Sequence, residues 1–161
     1  MTSQILSTQA STRSIDAWVR LLRGHAGTTR SLSAELVAEH GLTINDYEAL
    51  LLLSHAEGNQ LKRVELAERL ILTPSGVTRL LDGLQCAGYV EKGSCATDAR
   101  ISYAVLTDDG ARKLAEASGS HIEAVRVLFE ELFDEDELMT LAELLGRLPG
   151  AAGADGAACV P

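Results

Sequence analysis

The sequence predicts a mainly α-helical protein that carries one small β-hairpin. Three observations lead to this fold class. Apolar residues recur at helical spacing over most of the chain, whereas residues 89–92 and 101–106 read as two strands. Threonine, proline and glycine stand where helices would begin and end. Hydrophobic residues make up 46% of the chain but aromatic residues only 4%, so the core is expected to consist mainly of Leu, Val and Ala.

The first predicted helix is long and runs from about Ser14 to His40. Gly24 and Gly27 interrupt its pattern, and Gly41 is a natural end for it. Its apolar side carries Trp18, Leu21, Leu22, Leu32 and Leu36, with His25 on the same side.

A second helix is expected to begin after Thr43, because Asp46 three residues later completes a variant of the capping box. Residues 50–53 make this helix apolar almost all round, which predicts a central, buried position. A short third helix spans residues 64–70. Its side chains expected to face the core are Val64, Ala67, Leu70 and the following Ile71.

Residues 72–86, LTPSGVTRLLDGLQC, contain the most informative helix. Thr73 fits the N-cap, Pro74 fits the first helical position, and Gly88 ends the helix. On a helical wheel the apolar side carries Val77, Leu80, Leu81 and Leu84. The opposite side carries Ser75, Thr78, Arg79, Asp82 and Cys86. Small polar groups with a single arginine suit close contact with a partner better than exposure to solvent.

The two strands that follow enclose a polar loop, residues 93–100, and therefore predict a hairpin with a long tip. Thr107 then caps a long helix, with Asp108 and Asp109 in its first turn, where the helix dipole favours anions. A last helix starts in the acidic run at 134–137. Its residues expected to be buried are Leu138, Leu141, Leu145 and Leu148.

The net charge of −9 at first argues against a nucleic-acid partner. However, residues 60–105 carry six cations and five anions, so the excess acid lies in the flanks and the middle can meet a polyanion. The chain shows no catalytic constellation, no clustered histidine ligands and no paired-cysteine spacing, so we expect neither an enzyme nor a cofactor nor a metal. It also lacks a signal-peptide core and a membrane-spanning segment, which predicts a cytoplasmic protein.

Several motifs of the chain resemble those of the MarR family of winged helix-turn-helix transcription regulators. LAERL (66–70) resembles the first helix of the family's helix-turn-helix motif. LTPSGVTRLLDGLQCAGYVEK (72–92) resembles its recognition helix and the strand beyond. Asp98 and Arg100, followed by LTDDGARKL (106–114), resemble the wing signature and the start of the next helix. The chain departs from many members at Ala99, where a second arginine is common, and at Ala96, where a proline is common.

The resemblance implies a homodimer that binds double-stranded operator DNA. Residues 14–148 would form one domain between a disordered N-terminus (1–13) and a disordered tail (149–161). Within it, residues 14–41 and 108–148 would be dimerisation helices and residues 43–107 the DNA-binding lobe. The residues expected to bind DNA are Ser75, Gly76, Thr78 and Arg79 on the recognition helix, Lys62, Arg63 and Lys92 as phosphate contacts, and Asp98 and Arg100 in the wing.

Relatives often respond to small anionic or phenolic ligands, and Trp18, His25 and Tyr47 are candidates to line such an effector cleft. Two alternatives stay open. In the first, the winged helix is a protein-interaction module that does not bind DNA, which the acidic total and Ala99 favour slightly. In the second, Cys86 and Cys95 form a thiol-based redox sensor within a regulator of the same type.

Overall fold

A computed structural model describes the backbone over residues 2–94 and 102–151, and the side chains over 12–93 and 102–151. The helices in this part of the chain are α1 (Thr2–His40), α2 (Ile44–Ser54), α3 (Arg63–Arg69), α4 (Pro74–Cys86), α5 (Asp108–Glu130) and α6 (Glu135–Gly146). The strands are β1 (Gln60–Lys62), β2 (Val90–Ser94) and β3 (Ser102–Leu106). The predicted fold class, mainly α with a small β wing, is confirmed.

Helix α1 begins earlier than the sequence predicted. It starts at Thr2, whereas we expected disorder up to residue 13. Residues 2–13 contain no glycine or proline, so the backbone can continue its helical hydrogen bonds without a break. Gly24 and Gly27 do not interrupt the helix either, and it ends at Gly41 in the left-handed conformation (φ 70°), as predicted. Residues 152–161 of the predicted disordered tail lie outside the described residues.

Helix α2 lies at the centre of the core, as its all-round apolar sequence predicted. Leu50 and Leu53 are fully buried, and Tyr47 is 3% exposed. The predicted capping box is present, since the Thr43 hydroxyl accepts from the Asp46 amide and the Asp46 carboxylate accepts from the Thr43 amide. Because α2 packs against α1, α4, α5 and the sheet, it is the element around which the core is assembled.

Helix α3 presents a different face from the one predicted. Leu66 and Leu70 are buried, but Val64 is 68% exposed and Ile71 is 92% exposed. Ile71 has a φ of 53°, because the turn between α3 and α4 needs a left-handed residue to reverse the chain, and this directs its side chain into solvent. The prediction that Val64 and Ile71 face the core is therefore wrong, and Leu66 takes the central place.

The strands form one three-stranded antiparallel sheet in the order β1-β3-β2. The predicted hairpin is confirmed, with Val90 opposite Leu106 and Lys92 opposite Ala104. Strand β1 was too short to predict, and it forms because Leu61 is buried while its backbone pairs with β3 at Ala104. This strand ties the start of α3 to the wing.

The two C-terminal helices begin at the predicted caps, but α6 contributes nothing to the core of the single chain. The Thr107 hydroxyl accepts from the Gly110 amide, and the Asp134 carboxylate accepts from the Glu137 amide. No residue of α6 is buried; Leu138 and Leu141 are half-buried, and Leu145 and Leu148 are exposed. The predicted burial of these four leucines is therefore wrong for one chain, because no other element covers α6. Among the described helices, none is long and apolar enough to cross a membrane.

Candidate nucleic-acid interface

Helix α4 exposes the face that the sequence singled out. The Thr73 hydroxyl caps the helix by accepting from the Gly76 amide at 3.1 Å, and Pro74 occupies the first position. Val77, Leu81 and Leu84 are buried and Leu80 is half-buried, which anchors the helix on the core. The exposed side carries Ser75, Thr78, Arg79, Asp82 and Cys86, as predicted.

The structure brings two predicted DNA-binding residues from different helices together. The Arg63 Nη2 atom, on α3, donates a hydrogen bond to Thr78 Oγ1 at 2.9 Å. Thr78 Oγ1 in turn donates to the Pro74 carbonyl oxygen at 2.9 Å. Sequence reasoning missed this contact, because residues 15 positions apart in different helices share no local signal.

Ser75 and Gly76 belong to the capped first turn of α4. Ser75 Oγ lies 3.2 Å from Thr73 Oγ1, so the two hydroxyls share one hydrogen bond. A Cβ on Gly76 would lie 3.2 Å from the same Thr73 oxygen, a close contact that a shift of a few tenths of an ångström would relieve. The role predicted for Gly76, to let the backbone approach a partner, stays a prediction.

The cations of the site differ in how far they are neutralised. Lys62 forms an ion pair with Glu65, with Nζ and Oε1 3.3 Å apart. Within the described part of the chain, Arg63, Arg79 and Lys92 have no carboxylate within 4.0 Å. Asp82 follows Arg79 by three residues, but the two do not form an ion pair. The charges of Arg63, Arg79 and Lys92 are therefore free for an anionic partner.

The tip of the predicted wing lies outside the described residues. It contains Asp98, Arg100 and Cys95, and the two positions, Ala96 and Ala99, at which the chain departs from many family members. Cys86 is described, and it is an exposed free cysteine near the end of α4. Over residues 2–94 and 102–151, no group of three His, Cys, Asp or Glu side chains is arranged to hold a metal ion.

Comparison with known proteins assigns the chain to a family. The model of the MarR family matches residues 40–101, the segment that contains α2, α3, α4 and the strands β1 and β2. The crystal structure of AbsC, a MarR family transcriptional regulator from Streptomyces coelicolor, is 30% identical in sequence, with a TM-score of 0.71 over 80% of this chain and 86% of AbsC. The chain belongs to the MarR family.

Two further relatives of this MarR-family regulator concern repression and DNA. The transcriptional repressor YetL from Bacillus subtilis is 32% identical over 69% of this chain, which spans 66% of the length of YetL. A mutant MarR from Escherichia coli, solved in complex with operator DNA, is 26% identical, with a TM-score of 0.71 over 82% of this chain and 93% of that one. The predicted winged helix-turn-helix transcription regulator is thereby confirmed.

The three candidate effector residues of this MarR-family chain differ in their surroundings. Trp18 is 58% exposed on α1. Tyr47 lies in the core, where its ring contacts that of His121 in a tilted arrangement, with the ring centroids 4.6 Å apart, and its hydroxyl donates to Ser118 Oγ at 3.3 Å. His25 alone lines an open groove of about 550 Å³ along α1, beside Arg30 and Ile44.

Proposed function

We propose that this MarR-family protein is a homodimeric repressor that binds a pseudo-palindromic operator and is released by a small anionic or phenolic effector. The observation that carries the proposal is the face of α4. It presents Ser75, Thr78 and an unneutralised Arg79 from a helix that is capped at its start and anchored by three buried side chains. An α-helix with short side chains and one free arginine fits the major groove of B-DNA.

Within this proposal Arg79 is the principal base reader. Its planar guanidinium can donate two parallel hydrogen bonds to O6 and N7 of guanine, and no acidic side chain among the described residues competes for it. Ser75 lies one turn earlier, near the N-terminus of α4, where the helix dipole attracts phosphate. Together they place the N-terminal half of α4 against the DNA.

The remaining cations would position the protein on the DNA backbone. Lys92 is exposed on β2 of the wing and is free to bind a phosphate. Lys62 can do so only in competition with Glu65, so we expect it to contribute less. Asp98 and Arg100 are proposed from the resemblance alone, with Asp98 holding the wing and Arg100 entering a minor groove.

A dimer is supported by apolar side chains that the single chain leaves in solvent. On α1, Ile15, Trp18 and Leu22 are exposed at helical spacing. The C-terminal segment also exposes large apolar side chains, those of Val127, Leu132, Met139, Leu144, Leu145 and Leu148. A second copy that covers these faces would place two α4 helices on half-sites about one DNA turn apart, roughly 34 Å, which favours a pseudo-palindromic operator.

The names of two relatives support repression, and a groove on α1 supports effector release. YetL and MdtR, both from Bacillus subtilis, are named transcriptional repressors and are 32% and 28% identical over the matched residues. For the effector, the groove beside His25 offers the cation of Arg30 next to apolar Val37 and Ile44. An aromatic or aliphatic anion would satisfy both features. Because the operator is chromosomal DNA, the proposal places the protein in the cytoplasm.

Replacement of Arg79 tests the DNA-binding function. Fluorescence anisotropy with the DNA upstream of the protein's own gene should show specific binding that weakens steeply as salt rises. Arg79→Gln should weaken it roughly ten- to hundredfold, because a bidentate base contact is worth about 1–3 kcal/mol. Arg20→Gln is the matched control, since Arg20 is exposed on α1 and pairs only with Asp16, so its loss should leave affinity unchanged.

The competing function is a winged helix that binds protein and has lost its affinity for DNA. The net charge of −9 favours it. Binding that shows neither sequence preference nor salt dependence, and that Arg79→Gln leaves unchanged, would establish this alternative and refute the proposed repressor.

A further inference from the structure

The hydroxyl of Thr78 has both of its hydrogen-bonding roles decided by its partners. The Pro74 carbonyl oxygen can only accept, so Thr78 must give its one hydrogen to it, at 2.9 Å. The Arg63 guanidinium can only donate, so Thr78 must accept from it, also at 2.9 Å. The Thr78 hydroxyl therefore has no hydrogen left for a phosphate or for a base acceptor. This differs from the expectation that Thr78 is a short donor toward DNA.

The bond to Thr78 leaves Arg63 with a complete two-hydrogen edge. The two hydrogens on Nη2 belong to different edges of the guanidinium plane, one shared with Nε and the other with Nη1. Whichever of them Thr78 accepts, the other edge keeps both of its donors. Such an edge matches a pair of acceptors, either O6 and N7 of a guanine or two oxygens of one phosphate.

Arg63 also borders an apolar groove. This groove, of about 370 Å³, lies between α3 and α4 and is lined as well by Val64, Ala67 and Pro74. An arginine stem that covers apolar surface loses little further rotamer freedom when its head group binds. Because Arg63 is half-buried and no carboxylate among the described residues neutralises it, the fold orients this cation and leaves its charge unsatisfied.

We propose that Arg63 and Thr78 form one recognition unit, in which Thr78 positions the Arg63 guanidinium and Arg63 binds a pair of acceptors on the operator. Thr78 is then a positioning residue, and its own contact with DNA is limited to its methyl group and one acceptor lone pair. The unit adds a reader from α3 to those on α4. This inference rests on the proposed DNA-binding function and names a second contact of the same site.

A double-mutant cycle on operator affinity tests the unit. Thr78→Val keeps the shape of the side chain and its methyl group but replaces the hydroxyl, whereas Arg63→Gln removes the guanidinium. We expect Arg63→Gln to weaken binding about tenfold or more and Thr78→Val about threefold to tenfold. In the double variant, Thr78→Val should add less than twofold, because it acts only through Arg63. Thr78→Ser restores the hydroxyl and should restore most of the affinity.

Arg79 provides the matched control for this cycle. It is exposed on the same helix and does not bond to Thr78, so Arg79→Gln and Thr78→Val should have effects that multiply. Thermal unfolding of each variant establishes that the folded state is retained. The inference is overturned if the Arg63 and Thr78 effects multiply in the same way, or if Thr78→Ser behaves like Thr78→Val.

Measurements on the same protein variants show whether the two acceptors belong to a guanine or to a phosphate. If Arg63 reads a guanine, replacing one operator guanine by 7-deazaguanine should cost wild-type protein about tenfold and the Arg63→Gln variant little. If it holds a phosphate, no single base should matter, and Arg63→Gln should lower the slope of log affinity against log salt by about one. Wild-type protein that binds no DNA would refute the proposed function itself, whereas specific binding without coupling would refute only the recognition unit.

Discussion

Gly110 shows how a single hydrogen atom in place of a side chain positions a helix. A Cβ at this residue would lie 2.1 Å from the Tyr89 carbonyl oxygen and 2.8 Å from Leu106 Cδ1. The same carbonyl accepts from the Thr107 amide at 3.1 Å, and the Thr107 hydroxyl donates to the Gly88 carbonyl at 2.7 Å. The first turn of α5 is thereby fastened to the segment that connects the recognition helix α4 to the wing.

We expect Gly110→Ala to destabilise the protein by about 1–3 kcal/mol or more, because α5 must move away from a backbone oxygen that cannot yield. Gly119 is the matched control, since it lies in the same helix and an added Cβ there meets nothing within 4 Å. Gly119→Ala should therefore be neutral or stabilise by up to about 1 kcal/mol. Urea denaturation measures both. Equal effects would contradict the close approach seen at Gly110.

His121 is a second residue whose environment makes a prediction. Its ring packs at a tilt against that of Tyr47, and its Nδ1 atom is buried without a hydrogen-bond partner in the described structure. Burial, opposed in part by the carboxylate of Glu35, lowers the pKa of His121 from its ordinary value of 6.5. The folded protein therefore binds this proton less readily than the unfolded chain does.

The free energy of unfolding should consequently fall as the pH drops through 6.5 toward the lower pKa of folded His121, with the full contribution present above pH 6.5. His121→Phe keeps an aromatic ring against Tyr47 and should flatten this dependence. Urea denaturation at pH 5.5 and 7.5 provides the measurement. An equal drop in wild type and His121→Phe would refute the assignment.

At the scale of the elements, the ends of the helices were the most predictable feature of the DNA-binding lobe. Capping is local, because the Thr43, Thr73 and Thr107 hydroxyls each reach an amide three residues ahead. The inward and outward faces of α4 were equally predictable, since a helix of three turns has one periodicity. The face of α3 was not, because in a helix of seven residues the alternatives Leu66 and Val64 fit nearly as well.

The turn between α3 and α4 is the strained part of the helix-turn-helix. Ile71 is a β-branched residue at φ 53°, a conformation that costs an L-residue about 1–2 kcal/mol. Ile71→Asn should be more stable than Ile71→Ala by about 1 kcal/mol, because asparagine tolerates this conformation and alanine keeps the strained Cβ. Both variants remove the exposed isoleucine, so thermal or urea unfolding compares the backbone effect alone. Equal stability would show that the turn is not strained.

At the scale of the whole molecule, the single chain leaves an uncovered surface. Helix α1 and the C-terminal segment expose large apolar side chains, among them Trp18, Leu22 and Leu132. Monomers rarely expose large contiguous apolar patches, and α6 has no buried residue at all. The prediction for the leucines of α6 was wrong because their periodicity is that of a buried helix, whereas the described part of the single chain does not bury them.

We expect Leu22→Glu to shift the protein from dimer to monomer in light scattering coupled to size exclusion, and to weaken operator binding as the two half-sites become independent. Arg20→Glu is the control, since it places the same carboxylate on another face of α1, where Arg20 is exposed. Unchanged mass for Leu22→Glu, or monomeric wild-type protein at the same concentration, would contradict the proposed dimer.

The sequence by itself determined the helices, their caps, the hairpin and the outward face of α4, because each depends on spacing within a few residues. The tertiary structure decided the rest. It paired β1 with β3, turned Ile71 into solvent, placed Tyr47 in the core, and joined Arg63 to Thr78. These contacts link residues far apart in the chain, so their geometry follows from how α2 packs the lobe together and leaves no periodic trace in the sequence.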